Sequence, residues 1–190
     1  LTDGSVIKFN SAGNIEWEKT YGGTHNDNII KLKIVSAGGY IAIGSTTSND
    51  GDVSGMHGGI DIWVIRLDNS GNLLWQKCLG GSRTEIPGSI FETSDGGFVL
   101  SGNTQSLDGD VTGLHPSLSS LGDIWIVNLD ASGNIMRQHC YGGSGGESPG
   151  TIEQTPDGGF IFTTYSSSSN GDVSPTINGD FWLVRLDQTG

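Results

Sequence analysis

The chain has 190 residues with 32 Gly, 5 Pro, 16% charged side chains and a formal net charge of −12. That acidic balance opposes nucleic-acid binding, which needs a basic face, and it opposes adsorption to anionic lipid. No apolar run approaches the ~18 residues of a membrane-spanning helix, so membrane insertion is not expected.

The chain opens with Asp3 to Trp17 (DGSVIKFNSAGNIEW), a degenerate copy of Asp61 to Trp75 (DIWVIRLDNSGNLLW). In the fuller copy Trp63, Ile65 and Leu67 share one face at the period-2 spacing of a strand. Asn69-Ser70-Gly71-Asn72 then allows a reversal, and Leu73-Leu74-Trp75 starts a return strand. The unit comes back as Asp123 to Met136, and its first half as Asp180 to Gly190. Gly-Gly pairs follow at Gly22-Gly23, Gly80-Gly81 and Gly142-Gly143, and again at Gly38-Gly39, Gly96-Gly97 and Gly158-Gly159. An acidic loop closes each period: Asp50-Gly51-Asp52-Val53, Asp108-Gly109-Asp110-Val111 and Asn170-Gly171-Asp172-Val173. The periods are 3–60, 61–122 and 123–179, with a partial copy at 180–190, in a single repeat domain or a fragment of a larger one.

Each period holds four strand-like runs, in the second copy Asp61–Asp68, Leu73–Leu79, Ser89–Ser94 and Phe98–Thr104. No helical period is present. The expectation is an all-β protein of four-stranded antiparallel sheets, each resembling a blade of a β-propeller. Ile62 and Val64 make the second face of the first run apolar as well, as in a sheet covered on both sides. A β-sandwich or a β-solenoid array is the alternative. Three periods plus one strand do not match the 4–8 blades of a closed ring. The chain therefore reads as a segment of a longer array, or as one that associates with copies of itself. The blade register is open: the Ser45–Ile60 link would make Asp61–Asp68 innermost, whereas Trp docking would put that hairpin on the outer half.

Cys78 and Cys140 hold the same strand position in neighbouring copies, too far apart for the ~5.5 Å Cα separation of a disulfide. They read as small core residues, and they leave the redox compartment undecided. No signal-peptide pattern opens the chain, which fits a mature or excised segment or a cytoplasmic protein.

The ordered markers D-x-W-V-x-R/K-L-D-x-x-G-N-x-x-W, Y/L-G-G-S/T, D-G-G-F/Y and D-G-D-V resemble a ~60-residue repeat family of secreted and surface bacterial proteins. The resemblance covers essentially the whole chain and implies propeller-like domains, export and a secreted or cell-surface location, without an assigned activity. A looser similarity is to pyrroloquinoline-quinone-type propeller blades, where a Trp docks between blades. Leu67-Asp68, Gly71 and Trp75 match it in kind, with Met136 in place of the Trp in the third copy. Nothing matches that cofactor's binding residues.

The acidic loops are the candidate metal site. Asp50 and Asp52, Asp108 and Asp110, and Asn170 with Asp172 put two oxygen donors around one Gly, as a loop for a hard cation such as Ca²⁺ would. Asn49 and Asp61 are further candidate donors. Asp or Asn before Gly also makes metal-free Asx turns, and Ca²⁺ needs ~6–8 oxygens. His57 and His115 follow the second Asp by five residues, where the third copy has Ile177, and they read as structural rather than zinc-binding. Asp27, Glu85 and Glu147 follow the first Gly-Gly pair and invite a structural reading too. No catalytic motif is present, and recurrence in every copy opposes a unique catalytic centre, so an enzyme is not expected. The expected function is adhesion or scaffolding at a cell surface, through contact with a glycan or protein. The alternatives are a carbohydrate-binding, lectin-like propeller and the non-catalytic part of a larger secreted enzyme.

Overall fold

The computed structural model describes residues 1–115, 121–148, 150–173 and 179–187. Among them there is no helix. The strands in chain order are β1 (Gly4–Phe9), β2 (Ile15–Tyr21), β3 (Asp27–Ile34), β4 (Tyr40–Thr46), β5 (Asp61–Leu67), β6 (Leu73–Leu79), β7 (Glu85–Glu92), β8 (Phe98–Thr104), β9 (Asp123–Leu129), β10 (Ile135–Tyr141), β11 (Glu147–Ser148), β12 (Ile152–Gln154), β13 (Phe160–Ser166) and β14 (Asp180–Leu186). The end of the partial fourth copy, 188–190, and Ile177 lie outside the described residues.

Pairing is antiparallel within every sheet. Two sheets are complete, β3-β4-β5-β6 and β7-β8-β9-β10. They are flanked by the β1-β2 pair and by a last sheet in which β13 pairs with β11, β12 and β14. Each complete sheet thus joins the last two runs of one sequence period to the first two of the next. The hairpin of Asp61 to Leu79 forms the second half of its sheet, with β5 interior and β6 at the edge. The sheets are not closed into a ring.

The third run begins at Glu85, four residues before the expected Ser89. Pro87 and Gly88 argue against a strand, Pro because it lacks an N–H. A register shift between Pro87 and Ser89 absorbs them, and pairing continues on both sides. The register also corrects the alignment of the third copy. Trp75 pairs with Arg66, and the residue that pairs with the equivalent Asn128 is Arg137, not Met136. Arg137 therefore stands where the first two copies have Trp17 and Trp75.

Packing follows from apolarity on both faces. Every residue of β5 is buried. Ile62 and Val64, with Ile41 and Ile43, pack onto Ile90, Phe98, Leu100, Trp125 and Val127 of the following sheet. Trp63, Ile65 and Leu67 face the other way, towards Val6 and Tyr21 of the preceding pair. Val99, Ile124 and Ile126 repeat this arrangement against Ile152, Phe160 and Phe162. Removing so much apolar area from water, at roughly 25 cal/mol per Å², is what holds neighbouring sheets together. Cys78 and Cys140 are free and buried, each in a different sheet.

Candidate functional site: polar corners between sheets

The acidic loops, the Gly-Gly pairs and the strand-opening acids converge at the sheet junctions. In the second copy Ser82 N donates to Asp108 Oδ1 at 2.7 Å, and Gly80 N donates to Asp110 Oδ2 at 3.2 Å. Asp110 N returns a bond to Gly80 O at 2.8 Å. Thr24 N and Oγ1 donate to the two oxygens of Asp50, while Gly22 N donates to Asp52 Oδ2. In the third copy Ser144 N donates to Asn170 Oδ1, and Gly142 N to Asp172 Oδ2. All six loop residues thus accept from amides of a Gly-Gly turn, and their side chains tie that turn down. Bonds from Thr24 and Ser82 hold the carboxyls of Asp50 and Asp108 below the usual carboxylate range.

Asn49 turns elsewhere, accepting from Gly55 N and Met56 N. Asp61 does not join the loop that precedes it, Asp50-Gly51-Asp52, but opens its strand at the next junction, where His57 lies between it and Asp110. Among the described residues no group of three or more His, Cys, Asp or Glu is placed to hold a metal ion.

The second layer is buried. Glu85 Oε1 accepts from Thr104 Oγ1 at 2.7 Å and Oε2 from Gly81 N at 3.0 Å. Asp27 accepts from Thr46 Oγ1, Ser48 Oγ and Gly23 N. Glu147 Oε1 accepts from Ser166 Oγ and Ser168 Oγ at 2.7 and 2.6 Å. These hydroxyl partners were missed in the sequence, although a signal was there: Thr46-Thr47-Ser48, Thr104-Gln105-Ser106 and Ser166-Ser167-Ser168 each precede an acidic loop.

The histidines belong to the same corners. His57 donates from its backbone N and from Nδ1 to Asp61 Oδ2, at 2.8 and 2.9 Å. Its Nε2 lies 3.6 Å from Asp110 Oδ2 of the following sheet. His115 repeats this with Asp123 and, at 3.8 Å, Asp172. Each His orients a buried carboxylate and bridges two sheets.

The tryptophans are structural by position. Trp63 and Trp125 are 1% and 0% exposed, and each indole N–H donates to Gln76 or Gln138. Trp17 and Trp75 cross junctions, donating to Asn69 O and Ala131 O of the next turn. The junction beyond Arg137 is different. A cleft of about 430 Å³ lies there, lined among others by Asp95, Asn128, Asp130, Met136, Gln154 and Phe160.

No protein-family model matches the chain, and no curated protein matches it. The class defined by fold and corners is therefore an all-β array of four-stranded antiparallel sheets, joined by recurrent polar corners. No helix among the described residues is long and apolar enough to cross a membrane.

Proposed function

We propose that this chain is a propeller-type repeat segment of a secreted or cell-surface protein, working by adhesion or scaffolding rather than catalysis. One observation supports this reading above others: each chemically suggestive group recurs at successive junctions and is bonded to the neighbouring turn or strand. A catalytic centre needs one constellation set apart from its copies. The first strands β3, β7 and β12 approach one another across junctions, which favours the register with the β5–β6 hairpin on the outer half of a blade.

The end faces support stacking with further sheets. Phe181 and Leu183 are 82% and 64% exposed. They stand where Ile62 and Val64, and Ile124 and Ile126, lie buried under the next sheet. Another sheet of the same kind, from further repeats or a second copy, fits that face.

Glycan binding is the second reading, and the cleft beside Phe160 and Gln154 favours it. That junction departs from the repeat, and a binding site needs asymmetry. Immobilised protein screened on a glycan array and on whole cells tests both readings. Retention of cells without sugar preference supports adhesion, and retention of one glycan class supports the lectin reading. Release of a cleaved product would overturn both.

A further inference from the structure

Two carboxylates from different sheets meet at the bare Cα of Gly142. Asp123 opens β9 in the second complete sheet, and Glu147 opens β11 in the last one. Both are fully buried. Asp123 spends Oδ2 on His115, and Glu147 spends Oε1 on Ser166 and Ser168. The remaining oxygens, Asp123 Oδ1 and Glu147 Oε2, have no hydrogen-bond partner. They approach the same place: a Cβ added to Gly142 would sit 2.6 Å from the first and 2.5 Å from the second. The same meeting occurs one junction earlier. There Asp61 Oδ1, also without a partner, and Glu85 Oε2 both crowd the Cα of Gly80, but Glu85 Oε2 accepts from Gly81 N, so only one oxygen of that pair is unsatisfied.

An ionised carboxylate only accepts, so two facing buried oxygens leave both unsatisfied and add repulsion in a low-dielectric setting. Two remedies exist, a cation or a proton. A hard cation needs ~6–8 oxygens, whereas only two unpaired ones point here, and the space is too small for a methyl group. A proton needs no further ligand. We propose that Asp123 and Glu147 carry one proton between them at neutral pH, on the oxygens Oδ1 and Oε2. The junction between sheets is then a proton-linked clasp. When the proton is lost, like charges face each other across the junction and loosen it.

The surroundings agree. Burial pushes the carboxyl of Asp123 above the usual range, and burial does the same for Glu147, aided by the charge of Asp123 and opposed by bonds from Ser168 and Ser166 and by the Gly143 amide without being cancelled. The other titratable groups around the Gly142 corner are His115 on Asp123 Oδ2, Asp172 beyond the His115 ring, and Cys140 on β10. Asp172 adds negative charge that raises Asp123 further, while bonds from His115 oppose the rise without cancelling it.

A carboxyl whose folded pKa is raised binds its proton more tightly in the native state. Its stabilisation is complete below the unfolded value and is lost as pH rises through the folded value. Thermal melts of this chain between pH 4 and 9 should show a fall in melting temperature as the pair ionises. Glu147→Gln keeps the acceptor for Ser166 and Ser168 and puts an N–H₂ where the proton was, so the variant should lose most of that fall and melt higher than wild type above the transition. Carbon-13 carboxyl shifts of wild-type protein give a second readout that needs no variant: one group of the pair should titrate above the ordinary carboxylate range. Two carboxyls titrating normally, or a Glu147→Gln profile parallel to wild type, would overturn the proposal. So would a Ca²⁺-induced rise in melting temperature that Glu147→Gln abolishes, because the clasp would then hold a cation.

Discussion

The indole of Trp75 stands over the Cα of Gly133 in the next sheet, and a Cβ there would meet its ring at 2.9 Å. Gly133 has φ +79°, so the turn also needs a residue free to adopt a left-handed conformation. The same indole donates to Ala131 O and sets its edge against Phe98. Trp17 repeats the arrangement over Gly71, with Tyr40 in the place of Phe98. The junction is thus latched at its turn end by an aromatic ring and at its opposite end by the polar corner.

Trp75→Ala should therefore destabilise by about 2–3 kcal/mol, less than most truncations of a fully buried aromatic because the ring is only partly buried. Gly133→Ala should cost about 1–3 kcal/mol through the positive φ and the ring contact. The two costs should fall short of additive in the double variant, since both break one contact. Urea unfolding of the three variants measures this, and strict additivity would show that the indole and the turn act independently.

His115→Ala removes both the Nδ1 donor to buried Asp123 and the bridge towards Asp172. Leaving a buried carboxylate short of a donor should cost about 1–3 kcal/mol. His115→Asn, which retains a donor, should recover part of it. The corresponding pair at His57 should behave alike if the corners are equivalent, and unfolding free energies of the two series decide that.

The loop aspartates act in the opposite pH direction from the buried Asp123–Glu147 pair. Asp50 and Asp108 are held below the usual range by amide and hydroxyl donors. A depressed carboxyl contributes stability above its unfolded value and loses it as pH falls through the folded one. Acid melts should therefore show a loss that Asp108→Asn weakens, because the amide keeps an acceptor for Ser82 N without a charge. Chelator should leave the wild-type melting temperature unchanged while those oxygens cap the turn. A calcium-dependent rise would show that a cation competes successfully for them.

Burial pushes the thiols of Cys78 and Cys140 up to about 12. Neither should react with alkylating reagent at pH 8 in the folded chain, and both should do so in urea. Mass spectrometry of labelled protein reads this out, and rapid labelling of either thiol without denaturant would mean that its junction opens.

If the exposed face of β14 takes another sheet, replacing Phe181 and Leu183 together by Ser should reduce self-association and leave the melting temperature nearly unchanged. Sedimentation velocity across a concentration series checks this. A monomeric wild-type chain at all concentrations would point to further repeats, rather than a second copy, as the natural occupant.

Much of this was legible in the residues. Period-2 apolar positions at Ile62 to Leu67 announced strands covered on both faces, and the Gly-bearing turns announced hairpins. The third strand began earlier than read because a bulge at Pro87-Gly88 rescued a segment that propensity opposes. The Trp position of the third copy was misplaced by one residue. Counting from Asp123 as from Asp61 to Trp75 already leads to Arg137, and the strand register places it opposite Asn128.

The sequence by itself determined the all-β class, the strand alternation and the recurrence of acids, glycines and tryptophans, because those depend on neighbours a few residues away. Only the tertiary structure decided where one sheet ends and the next begins. It also decided which acids meet, since Asp123 and Glu147 are 24 residues apart and belong to different sheets. Their encounter depends on long-range packing that removes both from water. No local pattern records that two carboxylates will share one glycine's open side.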